Sequence, residues 1–335
     1  MDFLILGSTS NICISRVYDN LNDIHEKINN IYCYDMVEHT NESFLNYVKT
    51  NIDFNYTFKL QNKIKYLYGL FDLDHYEKII TPLIQNNLII YVAVPPFCYE
   101  TIVSFFYNYK YDYKYLILEK PLSLNYNNYK ALKPYLINNT YVMDHFLYKS
   151  DVQNIIKKHK NDKITFFKIS FHYDCDVENR LRYFDNVGFF IDMFQSHYLS
   201  ILYCLIGSKI DDLMDSYIIK NIKKQYHNYG GKNKVDTYFQ IQLEDLNVED
   251  KDGCNYIFEG GKAMKEEKKI IQINNHIYEI NNYYNEYELF FMDLINNNAI
   301  NLISQHETFW KITEKINNDF KVKNLKLNYY NKNKL

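Results

Sequence analysis

Phe3-Leu4-Ile5-Leu6-Gly7-Ser8-Thr9-Ser10-Asn11-Ile12 decides the fold. A short apolar run that stops at a glycine reads as a strand buried on both faces. The polar residues after Gly7 then open a helical pattern over 12–28. Strand, glycine turn and helix in that order let backbone N–H groups and a helix N-terminus face a phosphate. With a single glycine, neither GxxG nor GxGxxG is complete, and the same residues serve equally as a strand-to-helix turn capped by Ser10 or Asn11.

Working outward, apolar runs recur at Ile31–Tyr34, Ile64–Tyr68, Leu88–Val94 and Tyr115–Leu118. Helical patterns separate them at Glu42–Thr50, His75–Gln85, Cys98–Tyr107 and Tyr126–Leu136. This alternation predicts an α/β domain over 1–145, a Rossmann-like doubly wound parallel sheet with helices on both faces. Beyond it the pattern changes. A helix at Ser150–His159, a strand at Ile164–His172 and a long helix at Phe184–Leu205 precede strand-like segments at Tyr238–Leu243, Tyr256–Phe258 and Lys269–Ile273, and two helices close the chain. Strands without intervening helices predict an α+β domain with a mainly antiparallel sheet over 146–335, with Asn281–Asn285 as a loop.

Composition limits the function classes. The 335 residues are 47% hydrophobic and 24% charged, which excludes a disordered chain. A net charge of −3 gives no support for a nucleic-acid or polybasic membrane surface. The six cysteines show no CxxC spacing, which suits a reducing compartment, and no metal site is expected. No basic leader precedes the first strand and no run of about 18 apolar residues occurs, so a cytoplasmic chain without a membrane helix is expected. Tyr 35, Phe 22 and Trp 1 reflect a bias toward A/T-rich codons. In that lysine-rich background Arg16, Arg180 and Arg182 are the only arginines.

Several polar clusters stand at strand ends. Ala93-Val94-Pro95-Pro96 ends the fourth strand where open α/β sheets place ligands, although a rigid loop needs the same prolines. Glu119-Lys120-Pro121 ends the next and aims a lysine at a substrate or cofactor, or only at solvent. Asp144-His145-Phe146-Leu147-Tyr148-Lys149 combines an acid, an imidazole and an ammonium, suited to a phosphorylated substrate and a proton relay, or to a capped turn. Phe190, Met193, Phe194, His197 and Ile201 share a helical stripe. His197 there is either a satisfied core residue or a general base. Gly260-Gly261-Lys262 would let the Lys262 backbone approach a ligand closely.

The order of these clusters resembles the glucose 6-phosphate dehydrogenase family. That family's GATGDLAKRKL opening is similar to Gly7-Ser8-Thr9-Ser10-Asn11-Ile12, its YLALPP to Tyr91–Pro96 and its EKP to Glu119-Lys120-Pro121. Its DHYLGKxxVQN resembles Asp144–Asn154, the most specific match. YFDxxGxxxDxxQNH resembles Tyr183-Phe184-Asp185, Gly188, Asp192 and Gln195-Ser196-His197, and GKAL resembles Gly261-Lys262-Ala263-Met264. Tyr287-Glu288 with Asp293, and Trp310-Lys311-Ile312, also fit. The resemblance implies a dinucleotide-binding domain over 1–145 and a substrate-binding domain over 146–335. It implies oxidation of glucose 6-phosphate with NADP, or NAD, and a homodimer. By the same resemblance His197 is the general base and Asp144 orients and stabilises its imidazole. His145 and Lys149 hold the sugar phosphate, and Lys120, Asp185 and Lys262 bind sugar hydroxyls. Gly7, Ser8, Thr9, Ser10, Asn11, Pro95 and Lys120 meet the cofactor.

There are departures. Ser10 replaces the second loop glycine, and its side chain crowds the pyrophosphate position. The family arginine for the adenosine 2′-phosphate falls at Met36, beside Asp35, and an acid there suits a free ribose hydroxyl. A substrate-binding glutamate falls at Tyr173, and Ser196 replaces an asparagine. Glu259 and Glu267 replace basic residues of a second, structural NADP site, which is expected to be absent. Two other readings stay open: a non-catalytic sugar-phosphate-binding relative, and a sugar oxidoreductase of the Gfo/Idh/MocA type.

Overall fold

The computed structural model describes residues 1–52, 58–177, 180–245, 254–281 and 285–334. Its contacts divide into two units. The first comprises Met1–Ser123, Asn127–Tyr148 and Tyr284–Ser304, and the second Leu124–Tyr126, Lys149–Tyr283 and Gln305–Leu335. A single cut after residue 145 therefore misses a late return of the chain. The returning helix, Glu286–Ile295, buries Tyr287, Phe290, Phe291 and Leu294 in the first unit. Phe291 meets Phe3 edge-on at 5.7 Å, and Phe290 meets Tyr148 at 5.4 Å, so aromatic packing recruits this segment.

In the first unit, β1 (Asp2–Leu6), β2 (Asn30–Asp35), β3 (Ile64–Tyr68), β4 (Leu88–Val92), β5 (Tyr115–Glu119) and β6 (Thr140–Met143) form a parallel sheet in the order β3-β2-β1-β4-β5-β6. Every residue of β1 and β4 is buried, as central strands covered on both faces require. Strand order reverses between β1 and β4, which opens a crevice at their carboxyl ends. The helix expected over 12–28 is present in pieces: a π turn at Cys13–Val17, an α segment at Tyr18–Asp23 and a 3-10 turn at His25–Lys27. No side chain caps it at Ile12. By contrast the helix Asn41–Asn51 carries a full capping box between Thr40 and Ser43.

In the second unit, β7 (Phe166–His172), β8 (Tyr217–Tyr226), β9 (Tyr238–Asp245), β10 (Cys254–Gly261), β11 (Lys268–Ile273), β12 (His276–Glu279) and β13 (Asn328–Tyr330) form a mixed, mainly antiparallel sheet in the order β12-β11-β7-β10-β9-β8-β13. Strands β9 and β10 alternate buried and half-buried residues, the mark of a sheet with one face in the core. Strand β8 is absent from the sequence reading for a physical reason: its inward side chains are polar. Asn221 donates to Ile316 O at 2.9 Å, Lys223 to Asn317 Oδ1 at 2.6 Å and Gln225 to Val235 O at 2.9 Å. The apolar alternation that announces a strand is therefore missing there.

The long helix expected over 184–205 breaks at Gly188. Leu181–Val187 ends there at φ +73°, and the chain restarts as a π-wound stretch at Ile191–Tyr198 followed by Leu199–Ile206. Asp236 makes the break. Its backbone oxygen accepts the Phe189 N–H at 2.9 Å, and its carboxylate accepts the Phe190 N–H at 2.5 Å. A remote acid thus satisfies the new helix start. The Asn-rich loop expected over 281–285 lies outside the described residues at 282–284.

Candidate active site

In the first unit the candidate residues stand at the carboxyl ends of the strands. After β1 the chain turns at Gly7, φ +81°, where a Cβ would lie 2.6 Å from Ala93 O. The turn is held from two sides. Gly7 N and Ser8 N donate to Tyr34 O at 3.0 and 3.3 Å, and the buried Tyr18 hydroxyl donates to Ser8 O at 2.9 Å. Ser8 Oγ is buried and, among the described residues, makes no hydrogen bond. The helix from residue 11 leaves its first N–H groups without intrahelical acceptors, next to the β1–β4 crevice. Pro95, exposed, follows β4 and leads into the turn Pro96–Cys98. Glycine turn, helix start, orphaned hydroxyl and strand order fit a dinucleotide. Ser10 is the one position in this loop that departs from the glycine pattern.

At the ends of β5 and β6, Lys120 Nζ lies 2.6 Å from Asp144 Oδ2, with both side chains about 3% exposed. Asp144 Oδ1 also accepts the Phe146 N–H at 3.1 Å. His145 stacks on Tyr287, ring centroids 6.3 Å apart. The EKP and Asp144 clusters, 24 residues apart, are thus one ion-paired group. The sequence reading missed the importance of Glu119. Its carboxylate accepts hydrogen bonds from the Tyr91 hydroxyl and, at 3.0 Å, from the Tyr287 hydroxyl. Burial pushes this carboxyl up to about 7, against the opposing pull of those two hydroxyls and the Lys120 N–H, with Asp144 adding to the rise. A glutamate flanked in sequence by a long apolar strand was the available signal.

In the second unit His197 is buried within Ile191–Tyr198, where Gln195, Ser196 and Tyr198 are buried as well. The apolar stripe read from the sequence is therefore part of a helix enclosed all round. π-wound turns of this kind recur at functional sites. Lys149, buried, immediately precedes the helix Ser150–His159. Asp185 holds a loop: its two carboxylate oxygens accept the Lys232 N–H at 3.1 Å and the Asn233 N–H at 2.9 Å.

The glycines before Lys262 serve packing. A Cβ on Gly260 would meet Phe189, Phe239 and Tyr198 at 3.0–3.1 Å, so this glycine lets the His197 helix lie close to β10. The Lys262 N–H is spent on Thr237 O at 2.9 Å. Its side chain is what remains available. The ammonium lies 4.3 Å from the Tyr173 ring centroid and 3.4 Å from Cys175 Sγ, and among the described residues it meets no carboxylate. Glu259, on the same strand, has the opposite environment. Burial raises its carboxyl, but hydrogen bonds from His172 and Tyr238 and the nearby His172 and Lys168 charges prevail and bring it to about 2. An acid so held keeps a negative charge on this strand. Among the described residues no group of His, Cys, Asp and Glu could hold a metal ion.

Comparison with known proteins bears on both units. Residues 6–154 match the family model described as glucose-6-phosphate dehydrogenase, NAD binding domain, and residues 153–223 match its C-terminal domain. The glucose-6-phosphate 1-dehydrogenase of Treponema pallidum is 30% identical over 138 residues, covering 35% of this chain and 27% of that protein. That of Borreliella burgdorferi is 25% identical over 251 residues, covering 66% and 52%. That of Helicobacter pylori strain J99 is 23% identical over 275 residues, covering 70% and 65%. The chain therefore spans less than two thirds of the length of these curated relatives.

Among solved structures, a glucose-6-phosphate dehydrogenase in complex with glucose-6-phosphate superposes with TM-score 0.76 at 16% identity, covering 99% of this chain and 94% of that one. The WlbA dehydrogenase of Thermus thermophilus reaches 0.61 at 10%, covering 98% and 97%. These likenesses establish the fold: a parallel dinucleotide-type sheet followed by a mainly antiparallel one. The two family models run through the glycine turn, the Lys120–Asp144 pair and the His197 helix without a gap, and the chain belongs to the glucose-6-phosphate dehydrogenase family.

Proposed function

We propose that this chain oxidises glucose 6-phosphate to 6-phosphoglucono-1,5-lactone with NAD(P). The observation that carries the proposal is family membership extending from the glycine turn through His197. The bound dinucleotide supplies the hydride acceptor. His197 takes the proton of the anomeric hydroxyl as the hydride leaves the anomeric carbon and its C=O forms. Asp144 is the carboxylate assigned to orient and stabilise the charged imidazole. His145 and Lys149 hold the phosphate through charge-assisted hydrogen bonds. Lys262, which has no carboxylate partner among the described residues, takes a sugar hydroxyl. Asp185 and Lys120 take others, with the lone pairs and N–H groups left by their present partners.

The test is reduction of NAD+ or NADP+ on addition of glucose 6-phosphate, in the wild type and in His197→Asn. Turnover is expected in the first and a loss of about 10²–10⁴-fold in the second. Folded protein without sugar-dependent reduction would refute the proposal. The same reading includes a homodimer, which light scattering checks, and a cytoplasmic setting, supported by six cysteines that form no disulfide. Among the described residues no single helix is long and apolar enough to cross a membrane.

A further inference from the structure

Asp35 is the last residue of β2 and is 5% exposed. Three donors converge on it. Oδ2 accepts the Thr9 N–H and the Thr9 hydroxyl, both at 2.8 Å, and Oδ1 accepts the Met36 N–H at 2.7 Å. Thr9 belongs to the glycine turn after β1, so this acid links the turn to the end of β2. Among the described residues no lysine or arginine pairs with it. The next side chain, Met36, is 56% exposed and uncharged.

In sheets of this strand order, the residue at the end of the second strand meets the adenosine ribose. A phosphate monoester there needs N–H or O–H donors, or a cation. In this chain the donors of the turn and the strand end already serve a carboxylate, and a second anion beside a buried carboxylate is repelled. A ribose diol is different, because its hydroxyls donate to the lone pairs the carboxylate still has free.

We infer that Asp35 is a specificity-determining residue that makes the first unit select NAD over NADP, by occupying the Thr9 and Met36 donors and by its charge. The inference rests on the dinucleotide reading of this unit. It departs from the family arginine that accommodates the 2′-phosphate, whose position Met36 holds.

Calorimetric binding of NAD+, NADP+, 5′-AMP and 2′,5′-ADP to the whole chain tests it without requiring turnover. The wild type is expected to bind NAD+ at least about tenfold tighter than NADP+, and 5′-AMP tighter than 2′,5′-ADP. Asp35→Asn keeps the shape and removes the charge, and brings the two dinucleotides toward equal affinity. Met36→Arg changes an exposed side chain that folding tolerates. It raises NADP+ affinity modestly alone and inverts the preference when combined with Asp35→Asn. NADP+ binding as tight as NAD+ in the wild type, or a ratio unmoved in both Asp35→Asn and the double variant, overturns the inference and leaves the dehydrogenase proposal standing. Failure of both dinucleotides to bind folded protein overturns the two together.

Discussion

In the first unit Lys120 is matched at 2.6 Å by Asp144, both out of solvent, whereas in the second Lys262 rests against Tyr173 and Cys175 and, among the described residues, meets no carboxylate. The two lysines come from similar sequence contexts, each directly after a strand. Their surroundings give them different work. A buried, paired lysine is costly to disturb because its removal strands the partner charge. A lysine facing aromatic rings keeps a partly compensated charge that a ligand oxygen can claim. The first is therefore expected to contribute mainly to the integrity of its unit, and the second, under the proposed function, mainly to affinity.

The sharpest way to break this contrast is to remove each cation in turn. Lys120→Met should destabilise the protein by about 3–5 kcal/mol, the usual cost of breaking one side of a buried pair, read as a drop in the denaturant midpoint. A stability change under about 1 kcal/mol would show that the pair is not the buried unit described.

Glu119 extends the comparison, since it is the other buried charge-bearing group at that strand end. Its folded pKa of about 7 lies above the ordinary value of 4.5, so the folded state disfavours the ionised form. Stability from this group is full below pH 4.5 or so and is lost as the pH rises through about 7. Denaturation at several pH values should show the wild type losing up to about 3 kcal/mol across this window relative to Glu119→Gln, whose side chain does not titrate. Parallel pH curves for the two proteins would contradict the burial of this carboxyl.

The smallest effect belongs to Lys262. Lys262→Met should change the unfolding free energy by no more than about 0.5 kcal/mol while weakening glucose 6-phosphate binding about 10–100-fold, the worth of one charge-assisted hydrogen bond. A variant destabilised by several kcal/mol that still binds sugar phosphate as tightly as the wild type would erase the difference between the two lysines.

The same two regions differ in how far their residues announce them. The strands of the first unit are buried on both faces, so Phe3–Leu6 and Leu88–Val92 stand out as unbroken apolar runs. The second unit hides β8, because its inward side chains are polar: Asn221 and Lys223 bond to a helix about 95 residues later in sequence, and Gln225 bonds to the loop before β9. The break at Gly188 was equally invisible, because the acid that caps the new helix start, Asp236, comes from a distant loop. Of the candidate site, Lys120 and Asp144 could be named but not paired, since pairing depends on β5 and β6 lying side by side. Asp35 was legible as an acid suited to a free ribose hydroxyl. That its carboxylate takes three donors depends on the turn after β1 folding back onto the end of β2.

The most direct measurement of the proposed chemistry follows an atom. Glucose 6-phosphate carrying deuterium on the anomeric carbon, incubated with the protein and NAD+, should deliver the label to the nicotinamide ring of the reduced cofactor while the sugar becomes the lactone. Transfer should fall about 10²–10⁴-fold in His197→Asn. Deuterium retained in the sugar, with no labelled reduced cofactor formed by folded wild-type protein, would contradict the assignment of hydride transfer to this chain.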